Sequence, residues 1–590
     1  MEYTLAFKNC LVLAIMLIFT LNLAAQNTAW KKKIDPILSQ KAEKGKAECM
    51  VIFREQGDVS AAELFDTKLE KGTYVFNTLK QVSDRTQRSA KLLLIDAKTQ
   101  FNAYYLVNSI WAVADSVLIY SLAQLPEVSD IIDNPYSFFD APIIPKNVTE
   151  RGPTAVEWGI AKIKADSAWA LGYKGQGAVI GGADTGYDWK HPALKKAYRG
   201  TISDSVVNHN YNFHDAIHKV SPLSADSLNP CGFNLKAPCD DGSHGTHTMG
   251  SMVGNAVDAQ IGVAPAARWV ACRNMERGNG ANSTYIEAFE WFVAPTDSNN
   301  KNPNPSKAPH VINNSWYCSI EEGCKDSLSY FLMGTALKNT RAAGIVVVIS
   351  NGNSGPDCST VSYPPQFFNE GFTVGATDIQ DSIAGFSSRG PVRVGLPNAG
   401  KMRPDVSAPG SDIRSCIPKG LYANFSGTSM AGPHVAGTVA LMISANPKLA
   451  GNVNKIEQIL RETAIPLTSV QNCGGVSGLK IPNNTFGYGR INALAAVKKS
   501  LATNVATNDL QSIKIIETYP NPTADNIRFK TNEQGNATVQ IFDIKGKMML
   551  STKVENLKTD TISMEQFLVG TYICKVMSGS QVWYAKVVKK

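Results

Sequence analysis

The chain contains 590 residues, which exceeds what one hydrophobic core usually supports, so we expect several independently folded units. Hydrophobic residues make up 44% and charged residues 18% of the composition, a balance that excludes extensive disorder and a protein with many membrane spans. The net charge of +8 is modest and the lysines and arginines are scattered, so no nucleic-acid partner is indicated.

Residues 1–25 have the pattern of a signal peptide. Lys8 precedes an apolar run at residues 11–19, which continues to Leu23 and ends in Ala24-Ala25. The stretch is shorter than the roughly 20 residues that cross a bilayer, so a membrane anchor is the less favoured alternative. We therefore expect an exported protein.

Export permits disulfide bonds, and ten of the 11 cysteines remain once Cys10 leaves with the signal peptide. Cys231 with Cys239 and Cys318 with Cys324 are the expected local pairs, because each would close a short polar loop. The spacing of these cysteines and the lack of companion histidines disfavour zinc, which leaves structural disulfides or free thiols.

Residues 26–150 are predicted to form a small α+β domain. They combine short apolar runs, such as residues 49–53, with helical periodicity at residues 113–125. The segment ends in an extended, proline-marked stretch at residues 134–145.

Residues 151–502 are predicted to form an α/β domain on a parallel sheet. Apolar runs at residues 178–180, 311–312 and 345–349 are each followed by a glycine-rich turn and then by a helical period.

Residues 503–512 are predicted to be a polar linker, and residues 513–590 a small β-sandwich. Apolar and polar residues alternate at residues 538–542 and 571–576, which is typical of antiparallel strands with one buried face.

Three segments carry the parts needed to hydrolyse a peptide bond with a serine: an activated hydroxyl, a base, and a carboxylate that orients the base. In the first, an apolar strand leads to Asp184 at its carboxyl end, where the sites of open α/β sheets lie. The Asp-Thr-Gly at residues 184–186 is a weak signal alone, because it also occurs in aspartic proteases and in ordinary turns.

The second segment, residues 241–250, contains two histidines among glycines; we assign the base to His244 and expect His247, like His434, to be packed in the core. In the third segment, residues 424–437, Ser429 precedes a helical period whose first turn is expected to contain Pro433. An isolated serine there would be interpreted as a helix cap, but the length of the matching pattern favours a nucleophile.

In the order Asp, His, Ser, these segments resemble the subtilisin family of serine peptidases over most of residues 158–500. An α/β-hydrolase would run Ser, acid, His instead. The resemblance implies a serine endopeptidase with Asp184, His244 and Ser429 as its catalytic triad. It also implies an α/β fold of three layers, with helices on both faces of a parallel sheet.

The family stabilises the reaction's oxyanion with an asparagine side chain, and residues 346–355 resemble the strand and turn that carry it. By this resemblance Asn353 is the donor, together with the backbone N–H of Ser429. Asn351 is the local rival.

Two further segments resemble the walls of the family's substrate cleft, beside which a substrate lies as an added strand. A glycine commonly stands in relatives where this chain has Tyr317, so the preferred substrate side chain is left open. For Trp316, packing in the core is the alternative to substrate contact. The expected substrate-binding residues are Ser315, Trp316, Ser350, Asn351 and Gly352.

No cofactor is expected for the chemistry, and no metal ligands are assigned. Many subtilisins bind calcium through an aspartate just after the His-Pro that follows the triad acid, but His191-Pro192 is followed here by Ala193. A structural calcium ion stays open as an alternative. The oxygen-rich loops at Asp240-Asp241 and residues 297–302 are interpreted as solvated surface.

The flanking regions resemble the accessory parts of an exported protease. Residues 26–150 resemble subtilisin propeptides, chiefly at residues 113–133, with cleavage expected between Tyr136 and Glu157; an unrelated domain is the alternative. The carboxyl-terminal region, through the matches at residues 518–523, 539–547 and 570–572, resembles the type IX secretion sorting domains of Bacteroidetes, and a carbohydrate-binding or adhesive β-sandwich is the alternative.

These features together predict a secreted or cell-surface serine endopeptidase, made as a self-processing proenzyme and acting as a monomer. Its expected partners are protein substrates, its own propeptide as an inhibitor, and the secretion machinery that carries it across the outer membrane. The competing hypothesis is a catalytically silent adhesin that keeps the fold.

Overall fold

The computed structural model describes residues 29–138, 146–150, 155–256, 259–318, 324, 327–503, 514–532, 535–544, 546–579 and 581–590. The predicted signal peptide and most of the predicted linker lie outside these residues. The chain divides into two compact units: one contains the chain up to Gly57 with Leu79–Asn134, and the other contains Asp58–Thr78 with Pro135–Lys590. Within the described residues, no helix is both long enough and apolar enough to cross a membrane.

The first unit is built on an antiparallel sheet whose strand Ala47–Phe53 lies between two partners. Alternate residues of that strand, Cys49, Val51 and Phe53 among them, enter a core shared with helices, as the two-residue period of a strand requires. The described strands occur in the order Phe101–Tyr104, Ser109–Ala114, Ala47–Phe53, Val128–Asp133, and the helices are Pro36–Glu43, Arg88–Asp96 and Ser116–Gln124.

The helical periodicity predicted from residue 113 begins slightly later in the structure. Val113 and Ala114 still pair with the neighbouring strand. The helix Ser116–Gln124 starts after Asp115, whose carboxylate accepts a hydrogen bond from the backbone N–H of Leu118 at 3.0 Å. The predicted α+β character of this region is confirmed.

Among the described residues of the second unit, seven parallel strands form one sheet, which confirms the predicted α/β fold class. Helices cover both faces. A side chain at Gly181 would collide with Phe292 of one helix, and a side chain at Gly182 would collide with Met249 of another, so the glycines admit close packing on each side. The strand order is Val406–Pro409, Phe372–Thr377, Val346–Ser350, Val311–Asn314, Val179–Asp184, Arg268–Arg273, Phe213–Asp215.

The described helices of this α/β region differ in length, from four residues to 18. They are Trp158–Lys162, Ala165–Ala170, Pro192–Lys195, His244–Val253, Asn282–Val293, Ser327–Ala342, Thr428–Ala445, Val453–Glu462 and Ala493–Ala502. The helix Lys68–Thr86 begins in the second unit and ends in the first.

Two smaller antiparallel sheets are separate from the seven-stranded sheet. Tyr136–Phe138 pairs with Asn279–Ala281, and Lys146–Thr149 pairs with the hairpin strand Leu421–Phe425, whose other partner is Ile413–Ile417. Both pairings involve chain from the region that was predicted to be amino-terminal domain.

The carboxyl-terminal region forms two antiparallel sheets around one core, which confirms the predicted β-sandwich. In the strand Ala537–Asp543, Val539 and Ile541 are fully buried, and Gln540 between them is half-buried. The described strands are Glu517–Tyr519, Asn526–Lys530 and Ile562–Ser563 in one sheet, and Met548–Val554, Ala537–Asp543, Gly570–Ser578 and Gln581–Lys589 in the other.

Three disulfides cross-link the second unit. Cys231–Cys239 and Cys318–Cys324 confirm the two expected local pairs. The third, Cys358–Cys473, joins cysteines 115 residues apart and was not predicted, because sequence spacing gives no information on a distant pairing. The unpaired cysteines of the described chain, Cys49, Cys272, Cys416 and Cys574, are all buried.

Candidate active site

Asp184 and His244 form a close buried pair at the carboxyl edge of the parallel sheet. Asp184 ends the strand Val179–Asp184, and His244 is the first residue of the helix His244–Val253. The imidazole Nδ1 lies 2.7 and 2.9 Å from the two carboxylate oxygens, and the side chains of Asp184 and His244 are 1% and 4% exposed. When Nδ1 donates to the carboxylate, Nε2 becomes the basic nitrogen of the ring.

Glycine lets the helix and the strand approach this closely. A Cβ at Gly245 would lie 2.1 Å from the carbonyl oxygen of Gly186, so any side chain would push His244 away from Asp184. The backbone N–H of Thr185 also donates to Asp184, at 2.7 Å, and fixes the carboxylate from its other side.

Asp240 builds the turn that delivers His244. Its carboxylate accepts hydrogen bonds from the backbone N–H groups of Gly242, Ser243 and Thr246, and from the hydroxyl of Thr185. Sequence reasoning missed this role. The signal was an aspartate placed shortly before a helix start, a pattern typical of turn and cap formation.

The loops interpreted as solvated surface are ordered by their own hydrogen bonds. The carboxylate of Asp241 is fully buried and paired with Arg273 at 3.0 Å, so the solvated interpretation is wrong for this residue. The Asp297 carboxylate accepts from the N–H groups of Asn299 and Lys301. Within the described ranges, no cluster of three or more His, Cys, Asp or Glu side chains is arranged to bind a metal ion. Ala193 is buried in the short helix Pro192–Lys195.

Ser429 is the second residue of the helix Thr428–Ala445 and is 1% exposed. Its hydroxyl donates to the carbonyl oxygen of Ser315 at 3.2 Å. Pro433 is the sixth helical residue, so its predicted place in the first turn is wrong. A proline there removes the N–H that would bond to the carbonyl oxygen four residues earlier, which is that of Ser429.

Ser315 supplies the donor that Pro433 lacks. The Ser315 hydroxyl donates to the carbonyl oxygen of Ser429 at 2.9 Å and receives a hydrogen bond from Asn313 Nδ2 at 2.8 Å. Ser315 is fully buried. Its backbone and side chain therefore both hold the serine, a contact that the predicted role in the substrate wall did not include.

Asn353 is fixed by its amide oxygen. Oδ1 accepts hydrogen bonds from the backbone N–H of Thr428 at 2.9 Å and from the Thr428 hydroxyl at 2.8 Å. Both contacts use the oxygen, so the Nδ2 end of the amide is the end left to donate near Ser429. The rival, Asn351, is fully buried and donates its Nδ2 to the carbonyl oxygen of Ser388 at 2.7 Å.

The predicted wall at residues 350–352 lies beside the helix start that carries Ser429. Ser350 ends the strand Val346–Ser350, the N–H of Asn351 bonds within the sheet, and the N–H of Gly352 donates to the Thr428 hydroxyl at 3.2 Å. Gly352 has a φ of +97°, and a Cβ there would lie 2.7 Å from Gln366, so glycine is required at this position.

The second predicted wall contains two buried aromatic side chains. Trp316 is fully buried and stacks on Tyr285 with ring centroids 3.9 Å apart, which is the core packing considered as its alternative. Tyr317 is 7% exposed and stacks on Tyr363 at 5.2 Å. The stack of Tyr317 on Tyr363 therefore begins two residues after Ser315, which contacts Ser429.

A third wall was missed from the sequence. The strand Asn279–Ala281 pairs with Tyr136–Phe138, which lies in the stretch where cleavage was expected. A Cβ at Gly280 would clash with the ring of Tyr285, so glycine is needed where the backbone crosses this ring. That glycine, two residues before the helix Asn282–Val293, is the one signal the sequence offered.

Two histidines that share these motifs are packed in the core, as expected. His247 stacks on Phe425 at 4.2 Å, and burial with the nearby His244 lowers its pKa to about 3. His434 contacts the carbonyl oxygen of Met430 through Nδ1 at 2.9 Å, and burial lowers its pKa to about 4. Both are neutral at pH 7.

The profile of the subtilase family of peptidases matches residues 175–489, which is more than half of the chain and includes Asp184, His244, Asn353 and Ser429. The chain belongs to the subtilase family. This subtilase is therefore a serine-type endopeptidase by family, and the predicted subtilisin-like fold and enzyme class are confirmed.

Curated relatives cover different lengths of this subtilase. Bacillopeptidase F of Bacillus subtilis is 35% identical over 456 residues, which is 73% of this chain but 29% of that protein. Subtilisin BL of Lederbergia lenta is 30% identical over 347 residues, 58% of this chain and 99% of that protein. Subtilisin E of Bacillus subtilis is 29% identical over the same length, 72% of that protein.

The carboxyl-terminal β-sandwich of this subtilase matches a second profile. The secretion system C-terminal sorting domain matches residues 517–590. This confirms the predicted type IX secretion sorting domain, for which a carbohydrate-binding or adhesive β-sandwich was the alternative. The enzyme is exported across the outer membrane and is secreted or displayed at the cell surface.

Proposed function

We propose that this subtilase is made as a self-processing proenzyme and that Asp184, His244 and Ser429 catalyse its peptide-bond hydrolysis. The observation that carries the proposal is the buried contact between Asp184 and His244 Nδ1 at 2.7 Å, at the same sheet edge as the helix start that carries Ser429. A silent adhesin would have no need to keep this pair.

The proposed reaction has two acyl-transfer steps. Ser429 Oγ attacks the carbonyl carbon of the scissile bond while its proton passes to Nε2 of His244, and the Asp184 carboxylate stabilises the imidazolium that forms. The C–N bond then breaks as His244 returns the proton to the leaving amine. Water repeats the sequence on the Ser429 ester and releases the acid.

Asn353 and the backbone N–H of Ser429 stabilise the oxyanion in this scheme. The hydrogen bonds from Thr428 to the Asn353 amide oxygen support the assignment, because they aim the NH₂ end without using it. A donor fixed before the reaction begins stabilises the developing charge at no cost in reorganisation. Asn351 is less suited to this role, because it is fully buried and one N–H of its amide already donates to the carbonyl oxygen of Ser388.

The amino-terminal region inhibits the enzyme by occupying the position where a substrate strand would bind. Tyr136–Phe138 pairs with Asn279–Ala281 as a substrate would by strand addition, and Lys146–Thr149 pairs with Leu421–Phe425. Both flanks are held in the unit that contains the triad, so we place the self-cleaved bond between Phe138 and Lys146. Ser350, Asn351 and Gly352 complete the substrate wall, and the processed enzyme acts as a monomer on protein substrates.

The test compares the secreted wild-type chain with Ser429→Ala. We expect casein hydrolysis to fall by about 10⁶-fold, as removal of the nucleophile does in subtilisin. We expect the variant to keep residues 29–138 covalently attached, whereas Edman sequencing of the wild-type enzyme begins between residues 139 and 146. Equal casein hydrolysis by both chains would show that the triad is not the catalytic site. If the Ser429→Ala chain is still processed, the enzyme's own activity is not required for maturation.

A further inference from the structure

A segment from the predicted propeptide region is integrated into the second unit. This segment, Asp58–Thr78, is called the clamp segment below. Its apolar residues are buried: Val59 is 2% exposed, and Ala62, Phe65 and Val75 are fully buried. A solvent-exposed connector would not bury its apolar side chains so completely.

One side of the clamp segment is anchored to the catalytic domain by two lysines. Lys71 Nζ donates to the carbonyl oxygen of Gly451, and Lys68 Nζ donates to that of Ala308, both at 3.0 Å. Burial lowers the pKa of Lys68 to about 7. The backbones approach so closely that a Cβ at Gly451 would lie 2.8 Å from Lys68 Cα. The short 3₁₀ helix Ser60–Leu64 also packs on the helix Ser327–Ala342.

The other side contacts the sorting domain through groups of opposite charge. Asp58 Oδ2 lies 3.0 Å from Lys575 Nζ and accepts a hydrogen bond from the Tyr584 hydroxyl at 2.7 Å. Asp66 pairs with Lys586 at 2.8 Å. The same 3₁₀ helix packs on the strand Gln581–Lys589.

The Asp58 contacts are strong enough to alter its ionisation. Burial alone would raise the pKa of the Asp58 carboxyl, but hydrogen bonds from Ser60 and Tyr584 and the charge of Lys575 outweigh burial and hold the pKa well below its usual range. Tyr584 is 6% exposed. The interface thus combines ion pairs with a buried aromatic side chain, as specific protein interfaces do.

We propose that the clamp segment is an intramolecular docking site that holds the sorting domain against the catalytic domain while the amino-terminal region is attached. The proposal rests on the proposed function in one respect, that processing severs the chain after the clamp segment. Once the cleaved region leaves, the linker alone tethers the sorting domain. The basic surface of Lys575, Tyr584 and Lys586 is then open to an acidic partner, so maturation and presentation of the sorting domain are coupled.

The docking test uses the full chain with Ser429→Ala, so that no processing occurs, and with a site-specific protease site inserted in the linker at residues 504–513. After the linker is cut, gel filtration measures whether residues 514–590 stay with the rest of the chain. We expect co-elution. We expect Lys586→Glu to weaken the association at least about tenfold, and Asp66→Lys in the same chain to restore it, because the swap rebuilds the ion pair.

Lys530→Glu is the matched control. Lys530 lies on the same domain but pairs with Glu517 and is 74% exposed, so its reversal should leave co-elution unchanged. Melting of the isolated fragments by circular dichroism checks that each variant is folded. If folded Lys586→Glu and Lys575→Glu chains co-elute as tightly as the parent, or if Asp66→Lys fails to rescue, the proposed docking site is wrong. Because Ser429→Ala is used throughout, the result does not depend on whether the enzyme is active.

Discussion

Asn353 owes its orientation to Thr428, the residue immediately before the nucleophile. Asn353→Ala removes one of the two proposed oxyanion donors and leaves the proposed substrate walls unchanged. We expect kcat to fall by about 10²–10³-fold with KM nearly unchanged, the loss found for the equivalent donor in subtilisin. Steady-state kinetics on a chromogenic peptide measures this. If Asn353→Ala instead raised KM and left kcat unchanged, Asn353 would be assigned to substrate binding and not to the oxyanion site.

In the proposed substrate wall, Tyr317 stands where relatives commonly have glycine, and its stack on Tyr363 would fill space that a substrate side chain could otherwise enter. We therefore expect a preference for small residues at the scissile bond. Tyr317→Gly should raise kcat/KM for a Phe substrate relative to an Ala substrate by about tenfold or more, since each methylene accommodated contributes roughly 1–3 kcal/mol. Paired peptides that differ only at this residue measure the ratio, and an unchanged ratio would remove Tyr317 from the specificity determinants.

At the scale of elements, Ser315, just after the strand Val311–Asn314, supplies a hydrogen-bond donor that the helix Thr428–Ala445 lacks. Pro433 deprives the Ser429 carbonyl of its helical donor, and the Ser315 hydroxyl replaces it. Ser315→Ala should therefore lower kcat more than it changes KM, because a buried carbonyl without a donor costs about 1–3 kcal/mol and shifts the serine.

The partner substitution makes this positioning role testable. Pro433→Ala restores a backbone N–H to the helix, so Ser315→Ala should cost clearly less in that background than in the wild type. A double-mutant cycle on kcat and on urea unfolding measures the coupling. Additive effects would mean that the two residues act independently.

At the scale of the whole molecule, buried neutral histidines set the response of stability to acid. Burial lowers the pKa of His310 to about 3, with Lys68 contributing, and those of His247 and His434 to about 3 and about 4. The unfolded chain binds these protons near pH 6.5, before the folded chain can. The contribution of these histidines to the free energy of unfolding should therefore fall as the pH drops from about 6.5 towards 4, while Glu157, whose pKa burial raises to about 8, contributes in the opposite direction.

Urea unfolding of the Ser429→Ala chain between about pH 7 and pH 4.5 measures this slope, and His434→Gln should flatten it. His218 is the control, because burial would lower its pKa but Glu287 outweighs burial and raises it to about 9. Its stabilisation is complete below about pH 6.5 and is lost as the pH rises through 9, so His218→Gln should not change the acid slope. An equal slope in His434→Gln and the parent would contradict the assignment.

Motifs and alternation made part of this molecule predictable from its sequence. The resemblance of three motifs to subtilisins gave the assignment of Asp184, His244 and Ser429, and alternation predicted two strands of the sorting domain, Ala537–Asp543 and Gly570–Ser578. Contacts between distant segments were not predictable. The hydroxyl of Ser315 becomes a donor to Ser429 only through the fold, and the burial of the clamp segment depends on surfaces more than 200 residues away in sequence.

The four buried thiols of the described chain bear on the stability of the disulfides to exchange. Burial raises the pKa of Cys49 and Cys574 to about 12 and those of Cys272 and Cys416 well above their ordinary value. Disulfide exchange needs a thiolate, so these four protonated, buried thiols do not readily attack the three bridges of the described chain. Each region carries at least one such thiol, with Cys49 in the first unit and Cys574 in the sorting domain. Alkylation of each therefore reports, region by region, how often that part of the protein opens.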